Sequence, residues 1–176
     1  MEFVKHFKVQ TFADFMVSLA LFGNVENAEE VKKHIGSGNI DAAILSPDLV
    51  ADPFQVLVAT NKAIYNQKNG KLKTRSVNSE ILYNISPSKN IGESFKLFSF
   101  QNDAKYLLVV LLDDKENEKL GILKTRIVGD LISLENLANI SDTDRIKKIY
   151  KIQEEELQCS SLVDSIVSRI ATKEVT

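Results

Sequence analysis

The run Tyr106-Leu107-Leu108-Val109-Val110-Leu111-Leu112 is the longest uninterrupted apolar stretch of the chain. A run of this length, rich in Leu and Val, predicts a strand that is buried on both faces. It is far shorter than the roughly 20 apolar residues that a membrane-spanning helix requires. The chain is therefore expected to fold around a buried strand and to have no membrane segment.

The other expected strands all precede this run in the sequence. Residues 3–9 and 17–21 carry apolar side chains at strand spacing, and residues 80–85 are predicted to form a further strand. The apolar residues between positions 39 and 50 are too few to separate a strand from a helical turn. These patterns predict a sheet of about four strands.

Helix starts and ends are marked by capping residues. Asn27 with Glu30 predicts a helix that begins with a capping box and ends before Gly36, and Asp52-Pro53 predicts one that Asn69-Gly70 closes. Further helices are predicted from similar caps and from apolar residues at helical spacing. They lie after Asn90, over residues 120–128 and 144–152, and after Ser161.

Strands early in the chain and helices in its last third predict the fold class α+β, with a mixed or antiparallel sheet and several packed helices. No linker or internal repeat divides the sequence, so a single domain over residues 1–176 is expected. The balance of 22 Lys and Arg against 24 Asp and Glu gives a formal charge of −2. Any binding to nucleic acid must therefore come from a local patch of charge.

Side chains that could carry chemistry are sparse. The two histidines, His6 and His34, lie far apart and away from other potential ligands, so no metal site is predicted. Neither a phosphate-binding loop nor a Gly-x-Ser-x-Gly turn is present, and Asp113-Asp114 begins a run that solvent can solvate. The single cysteine, Cys159, indicates a reducing, intracellular compartment. The chain is expected to be no enzyme and to use no cofactor.

One segment is distinctly basic. Positions 53–79 contain no acidic residue, whereas Lys62, Lys71, Lys73 and Arg75 all lie within them. If residues 71–75 are extended, the last three cations point the same way and can meet successive phosphates of a nucleic acid. The alternative is a solvated edge on which lysines discourage unwanted strand pairing.

Several segments together resemble the PRPK-binding protein (TPRKB) family. They follow in order along the chain, and the similarity as a whole extends over essentially all of it: 52–63 (DPFQVLVATNKA), 70–75 (GKLKTR), 79–82 (SEIL), 84–87 (NISP), 90–91 (NI), 146–151 (IKKIYK) and 162–166 (LVDSI). Each segment alone is weak, but their order and spacing are hard to obtain by chance.

This resemblance implies a non-catalytic subunit of the KEOPS/EKC complex, which installs threonylcarbamoyl on an adenosine of certain tRNAs. Its expected partners are a PRPK-type atypical kinase/ATPase subunit, the other KEOPS subunits through that kinase, and the 3′ CCA end of tRNA. No membrane partner is expected, and the implied location is cytoplasm and nucleus. The alternative is a stand-alone RNA-binding module that uses the basic 62–75 segment.

The resemblance gives the apolar stripe of the last helices a second interpretation. An amphipathic helix normally buries its stripe within its own domain, yet part of this stripe can instead face the kinase. The candidate kinase-binding residues are Ile146, Ile149, Tyr150, Leu162, Ile166 and Ile170. The candidate tRNA contacts are Lys62, Lys71, Lys73 and Arg75, which is an inference from charge.

Overall fold

A computed structural model describes residues 3–9 and 15–175 of the chain. The described residues form two compact units: unit 1 comprises those within 1–47 and 99–136, and unit 2 those within 48–98 and 137–175. The single domain expected over residues 1–176 stays a prediction. The α+β class is confirmed, because unit 1 carries an antiparallel sheet and most of the helices belong to unit 2.

The sheet of unit 1 has five strands among the described residues, one more than the sequence predicts. They are β1 (Lys5–Lys8), β2 (Met16–Gly23), β3 (Ala43–Leu45), β4 (Leu107–Leu112) and β5 (Asp130–Ile132). All pairs are antiparallel, in the order β1-β2-β4-β3, and β5 pairs with the far end of β2. The short β5 lacks the length that makes a strand visible in a sequence.

The predicted buried strand is β4, an interior strand that lies between β2 and β3 in the sheet. It pairs with β2 from Val17↔Leu112 to Phe22↔Leu107, and all of its residues are buried. One face of the sheet packs against two helices of the same unit, α1 (Ala28–Gly36) and α5 (Glu118–Arg126). The segment between residues 39 and 50, for which the sequence left a strand and a helical turn open, contains strand β3. This strand pairs with β4 on the side opposite to β2.

The helix after Asn27 is confirmed, but its predicted capping box is wrong. The Asn27 side chain accepts from no backbone amide in the first turn of α1, although its Nδ2 lies 3.5 Å from Glu30 Oε2. Instead its Oδ1 accepts from the Val128 amide at 2.8 Å, and its Nδ2 donates to the Arg126 carbonyl at 2.8 Å. Both partners lie about 100 positions away in sequence, and spacing along one helix cannot reveal such contacts.

Unit 2 is built from helices, of which α2 is the longest. The described helices of this unit are α2 (Pro53–Lys68), α3 (Val77–Ile85), α4 (Ile91–Phe98), α6 (Leu137–Ile140), α7 (Thr143–Tyr150) and α8 (Leu162–Ala171). Helix α2 packs against α3 and α8. It begins as predicted, because Asp52 accepts from the Phe54 amide at 2.8 Å, and it closes at Gly70, whose φ of +64° suits glycine.

The strand predicted over residues 80–85 is wrong, because these residues belong to helix α3. Ser76 caps this helix: its hydroxyl accepts from the Ser79 amide at 3.1 Å, and the Ser79 hydroxyl accepts from the Ser76 amide. A short apolar run does not distinguish a strand from a buried helix. Helix α3 is buried around much of its circumference, so the run shows no amphipathic period.

The predicted caps of α4 and α8 are confirmed. Asn90 Oδ1 accepts from the Glu93 amide at 2.9 Å before α4, and Ser161 Oγ accepts from the Asp164 amide at 3.0 Å at the start of α8. Helix α7 begins with Asp142, whose carboxylate accepts from the Arg145 amide. In the part of the chain that the structure describes, no helix combines the length and apolar character needed to cross a bilayer.

Candidate functional site

The basic segment continues from helix α2 into residues 71–76, which we call the basic connector. These residues form bends rather than a regular strand, and Lys71, Lys73 and Arg75 are exposed whereas Leu72 and Thr74 are half-buried. This alternation of exposed and half-buried residues leaves the three cationic side chains exposed to solvent. The connector therefore displays the charges that a phosphate backbone would contact.

A buried carboxylate fixes the connector from below. Glu80 is fully buried in the first turn of α3. Its oxygens accept from the Lys73 amide at 3.0 and 3.1 Å, from the Thr74 amide at 3.0 Å and from the Thr74 hydroxyl at 2.8 Å. These are charge-assisted hydrogen bonds, so they order the connector more strongly than neutral bonds would.

Glu80 is a residue that the sequence analysis missed as part of the site. It is the first acidic residue after the acid-free stretch at 53–79. Its position directly after the basic segment was the feature of the sequence that could have indicated a contact with the connector. Assigning it to a strand concealed its role, because only the helical turn of α3 brings the carboxylate back to the connector.

The predicted cation Lys62 is placed differently from the cations of the connector. Its Nζ donates to the Ile170 carbonyl at 2.7 Å and to Glu174 Oε2 at 2.7 Å. The other oxygen, Glu174 Oε1, lies 3.9 Å from Lys73 Nζ. The structure thus brings Lys62 and Lys73 to one carboxylate, while Lys71 and Arg75 have exposed side chains.

A buried lysine, Lys173, lies beside this group. Its Nζ donates to the Tyr83 carbonyl and stands 3.5 Å from the centroid of the Tyr83 ring. Burial, together with the charges of Lys62 and Lys73, lowers the pKa of Lys173 to about 7, and the charge of Glu174 opposes the shift. Lys173 therefore changes charge close to neutral pH.

The candidate kinase-binding residues divide into buried and half-buried groups. Four of them are buried in unit 2: Ile146, Tyr150, Ile166 and Ile170. The other two, Ile149 on α7 and Leu162 on α8, are half-buried. The physical reason is that the stripes of α7 and α8 provide the core of their own unit. Of the six residues, only the half-buried pair can reach a partner without unfolding.

Tyr150 has a structural role that its place in the stripe did not suggest. Its hydroxyl donates to the Ile85 carbonyl and accepts from Gln55 Nε2 at 3.0 Å. Burial raises the pKa of Tyr150, which keeps the hydroxyl protonated. Its ring meets that of Phe98 edge-on, with centroids 6.4 Å apart. Tyr150 thereby links α2, α3 and α4 of unit 2 to α7.

An ion pair joins the last turn of helix α8 to the segment that precedes this helix. Arg169 donates to both oxygens of Glu156, at 2.6 and 2.7 Å, and also to the Lys151 carbonyl at 3.2 Å. The hydrogen bond from Arg169 lowers the pKa of Glu156 to about 2. This bidentate contact ties the turn Glu156–Gln158, which follows α7, to the last turn of α8.

Within residues 3–9 and 15–175, no three His, Cys, Asp or Glu side chains are gathered so that they could hold a metal ion. Cys159 is exposed. The features that stand out are therefore the basic connector with its buried carboxylate, and the half-buried apolar residues of α7 and α8. Both are features of a binding protein.

Comparison with known proteins defines the class to which this chain belongs. The family model described as "Kinase binding protein CGI-121" matches residues 22–174, so the chain belongs to the CGI-121 family of kinase binding proteins. A kinase-binding family agrees with the expectation that the chain is not an enzyme.

Individual relatives carry matching names. The chain is 41% identical over 169 residues to a Danio rerio protein named EKC/KEOPS complex subunit TPRKB, covering 95% of this chain and 96% of that one. It is 29% identical over 168 residues to the EKC/KEOPS complex subunit CGI121 of Candida glabrata, covering 94% of each. It is 34% identical over 144 residues to an Aspergillus terreus subunit of the same complex, covering 77% of this chain and 74% of that one. The resemblance drawn from the sequence is confirmed.

Proposed function

We propose that this chain is a non-catalytic subunit of a KEOPS/EKC complex, which binds and supports the kinase-like ATPase subunit and helps to recruit tRNA for threonylcarbamoyladenosine modification. The kinase-binding family and the names of the relatives support the first part of this proposal. The basic connector supports the second part. We place the complex in cytoplasm and nucleus, where tRNA and its modifying enzymes meet.

The observation that carries the tRNA proposal is the ordered set of cations on the connector. Lys71, Lys73 and Arg75 are exposed, and the bonds from Glu80 hold the backbone between them. A loop that is ordered before binding loses less conformational entropy when a partner docks. The connector therefore suits the backbone phosphates of a single strand, such as the 3′ CCA end of tRNA.

The proposed kinase contact uses the outer edge of α7 and α8. Ile149 and Leu162 are half-buried, so each offers apolar surface that a partner can cover without disturbing Ile146 or Ile166 beneath. Protein interfaces commonly have an apolar core that is surrounded by a polar rim. The other KEOPS subunits join through the kinase.

The test combines co-purification with a salt titration. The full chain is expressed with its kinase-like partner, and tRNA binding by the complex is measured from 50 to 300 mM salt, a range of about six-fold. If three phosphates are neutralised, the slope of log affinity against log salt contains a contribution of about −2. The variant Lys71→Ala/Lys73→Ala/Arg75→Ala is expected to lose that contribution and to keep the kinase.

A matched control removes the same charge elsewhere in unit 2. Lys89, Lys96 and Lys148 are exposed, and replacing them by Ala changes the net charge equally. If both triple variants show the same slope, the connector is not the contact. A chain that binds tRNA tightly but does not co-purify with a kinase would instead be the stand-alone RNA-binding module.

The proposed kinase contact is tested with the same co-purification experiment. Ile149→Asp is expected to reduce co-purification of the kinase while the thermal unfolding of the isolated chain changes little. Ile166→Asp is the contrasting variant, because a charge at a fully buried position is expected to unfold unit 2. Both the folded structure and the co-purification of the kinase should then be lost. Retention of the kinase by folded Ile149→Asp would remove this edge of α7 from the interface.

A further inference from the structure

A carboxylate of the chain itself already occupies part of the proposed phosphate-binding surface. Glu174 lies in the turn Lys173–Val175 that follows α8. One of its oxygens lies 2.7 Å from Lys62 Nζ, and the other lies 3.9 Å from Lys73 Nζ. Carboxylate and phosphate oxygens are the same kind of acceptor for an ammonium group. Two of the four candidate cations are therefore engaged before any nucleic acid arrives.

The turn that carries Glu174 is anchored on both sides of that residue. Before it, the buried Lys173 donates to the Tyr83 carbonyl and covers the ring of the same residue. After it, the Val175 amide donates to the Thr172 carbonyl at 3.0 Å. The Val175 side chain beyond is 82% exposed. The anchor thus fixes the carboxylate beside the connector, although apolar packing does not require the turn to lie there.

The contact is partly shielded from water, which strengthens it. The Lys62 side chain is 20% exposed and that of Glu174 is 33% exposed. Burial alone would raise the pKa of Glu174, but the hydrogen bond and charge of Lys62, with the charge of Lys73, hold it below its usual value. Glu174 is consequently ionised at neutral pH. Its negative charge faces both lysines throughout the physiological range.

We infer that Glu174 is a built-in competitor of the polyanion, an autoinhibitory contact that weakens phosphate binding at Lys62 and Lys73. This inference rests on the proposed tRNA contact. A phosphate that reaches Lys62 must displace the carboxylate, so the ion pair is lost whenever the phosphate contact forms. Lys71 and Arg75 lie outside this competition and make the first contact. The competitor lowers affinity for any polyanion, and so it favours a ligand that engages the whole connector.

The test is a gain of binding in a variant that keeps the shape of the residue. Glu174→Gln removes the charge, and Lys62 keeps its bond to the Ile170 carbonyl. We expect tRNA affinity of the complex with its kinase partner to rise about three-fold at 150 mM salt, the scale of a partly exposed ion pair. The slope of log affinity against log salt is expected to steepen by about 0.7, the value for one further phosphate on a single strand.

The matched control is Glu154→Gln. Glu154 forms an ion pair with Lys147 at 3.0 Å on unit 2, and its loss changes the net charge by the same amount. Equal gains in both variants would mean that net charge alone acts, and the inference would be wrong. Unchanged or weaker binding by Glu174→Gln would overturn it as well, because an ion pair with a structural role only cannot raise affinity when it is removed.

A second variant pair traces the gain to the lysine. In Lys62→Gln/Glu174→Gln the freed lysine is absent, so the gain over Lys62→Gln is expected to fall well below three-fold. A full gain in this background would contradict the role given to Lys62. Thermal unfolding of each variant confirms that it is folded. Failure of the connector variant described above concerns the proposed function, whereas these ratios concern Glu174 alone, so the two failures can be told apart.

Discussion

The two units differ in how many polar side chains they bury in their cores. Unit 1 surrounds its sheet with apolar side chains, and its buried polar residues among those described are Ser18 and Asp114. Unit 2 buries many more polar and charged side chains. They are Gln55, Thr60, Glu80, Asn84, Ser86, Ser94, Ser165 and Lys173. The helical unit is therefore organised by specific hydrogen bonds as well as by apolar burial.

The buried polar groups of unit 2 hold its candidate binding features in place. Glu80 fixes the basic connector, Lys173 anchors the turn that carries Glu174, and Gln55 joins Tyr150. In unit 1, by contrast, Asp114 accepts from the amides at the start of α5 and so acts locally. A buried polar bond has directional geometry that apolar contact lacks. The buried polar residues of unit 2 therefore fix the positions of the candidate binding features on its surface.

The largest expected effect tests the apolar character of unit 1. Leu111→Ala removes a fully buried side chain of β4 and is expected to lower the free energy of unfolding by about 2–5 kcal/mol. The loss should be the same at pH 6 and pH 9, since no titratable group is involved. Denaturant unfolding followed by circular dichroism measures it. The control is Ile122→Ala in α5, whose side chain is 48% exposed.

An intermediate effect is expected at Lys173, and here pH matters. The folded pKa of about 7 lies below the ordinary value, so between pH 7 and 9 the unfolded chain holds a proton that the folded chain lacks. The free energy of unfolding of the wild type, relative to Lys173→Met, is expected to rise by about 2 kcal/mol over this window. Below pH 7 the difference levels off.

Denaturant titrations of both proteins at several pH values measure this difference. Titrations of other groups cancel in the comparison, provided that Glu174, Lys62, Lys73 and Glu80 keep their places. A difference that stays constant with pH would show that Lys173 keeps its charge when buried. The polar core of unit 2 would then lack the pH dependence that distinguishes it from unit 1.

The smallest expected effect concerns a single hydroxyl. Tyr150→Phe keeps the ring against Phe98 but removes the bonds to the Ile85 carbonyl and Gln55. The free energy of unfolding is expected to fall by about 1.5 kcal/mol, the scale of a buried hydrogen bond whose partners lose it. Tyr65→Phe is the matched control in the same unit, because that side chain is 49% exposed. Equal effects of the two changes would contradict the account of the polar core.

The candidate site was visible in the sequence only in part. A count of charges located Lys71, Lys73 and Arg75, and their alternating exposure agrees with the spacing argument. The role of Glu80 was missed, and that of Glu174 could not be predicted. Glu80 was placed in a strand, and Glu174 meets Lys62 across 112 positions of sequence. Electrostatic partners of this kind leave no periodic trace along the chain.

Sequence patterns were sufficient to predict the buried strand β4, the caps of α2, α4 and α8, the basic segment and the family. These depend on neighbouring residues, since caps, periodicity and charge runs act over a few positions. Three-dimensional contacts were needed to establish that residues 77–85 form a helix, that Asn27 bonds to residues 126 and 128, and that Glu174 faces Lys62 and Lys73. Each of these outcomes rests on contacts between distant segments, where burial and hydrogen bonding outweigh local preference.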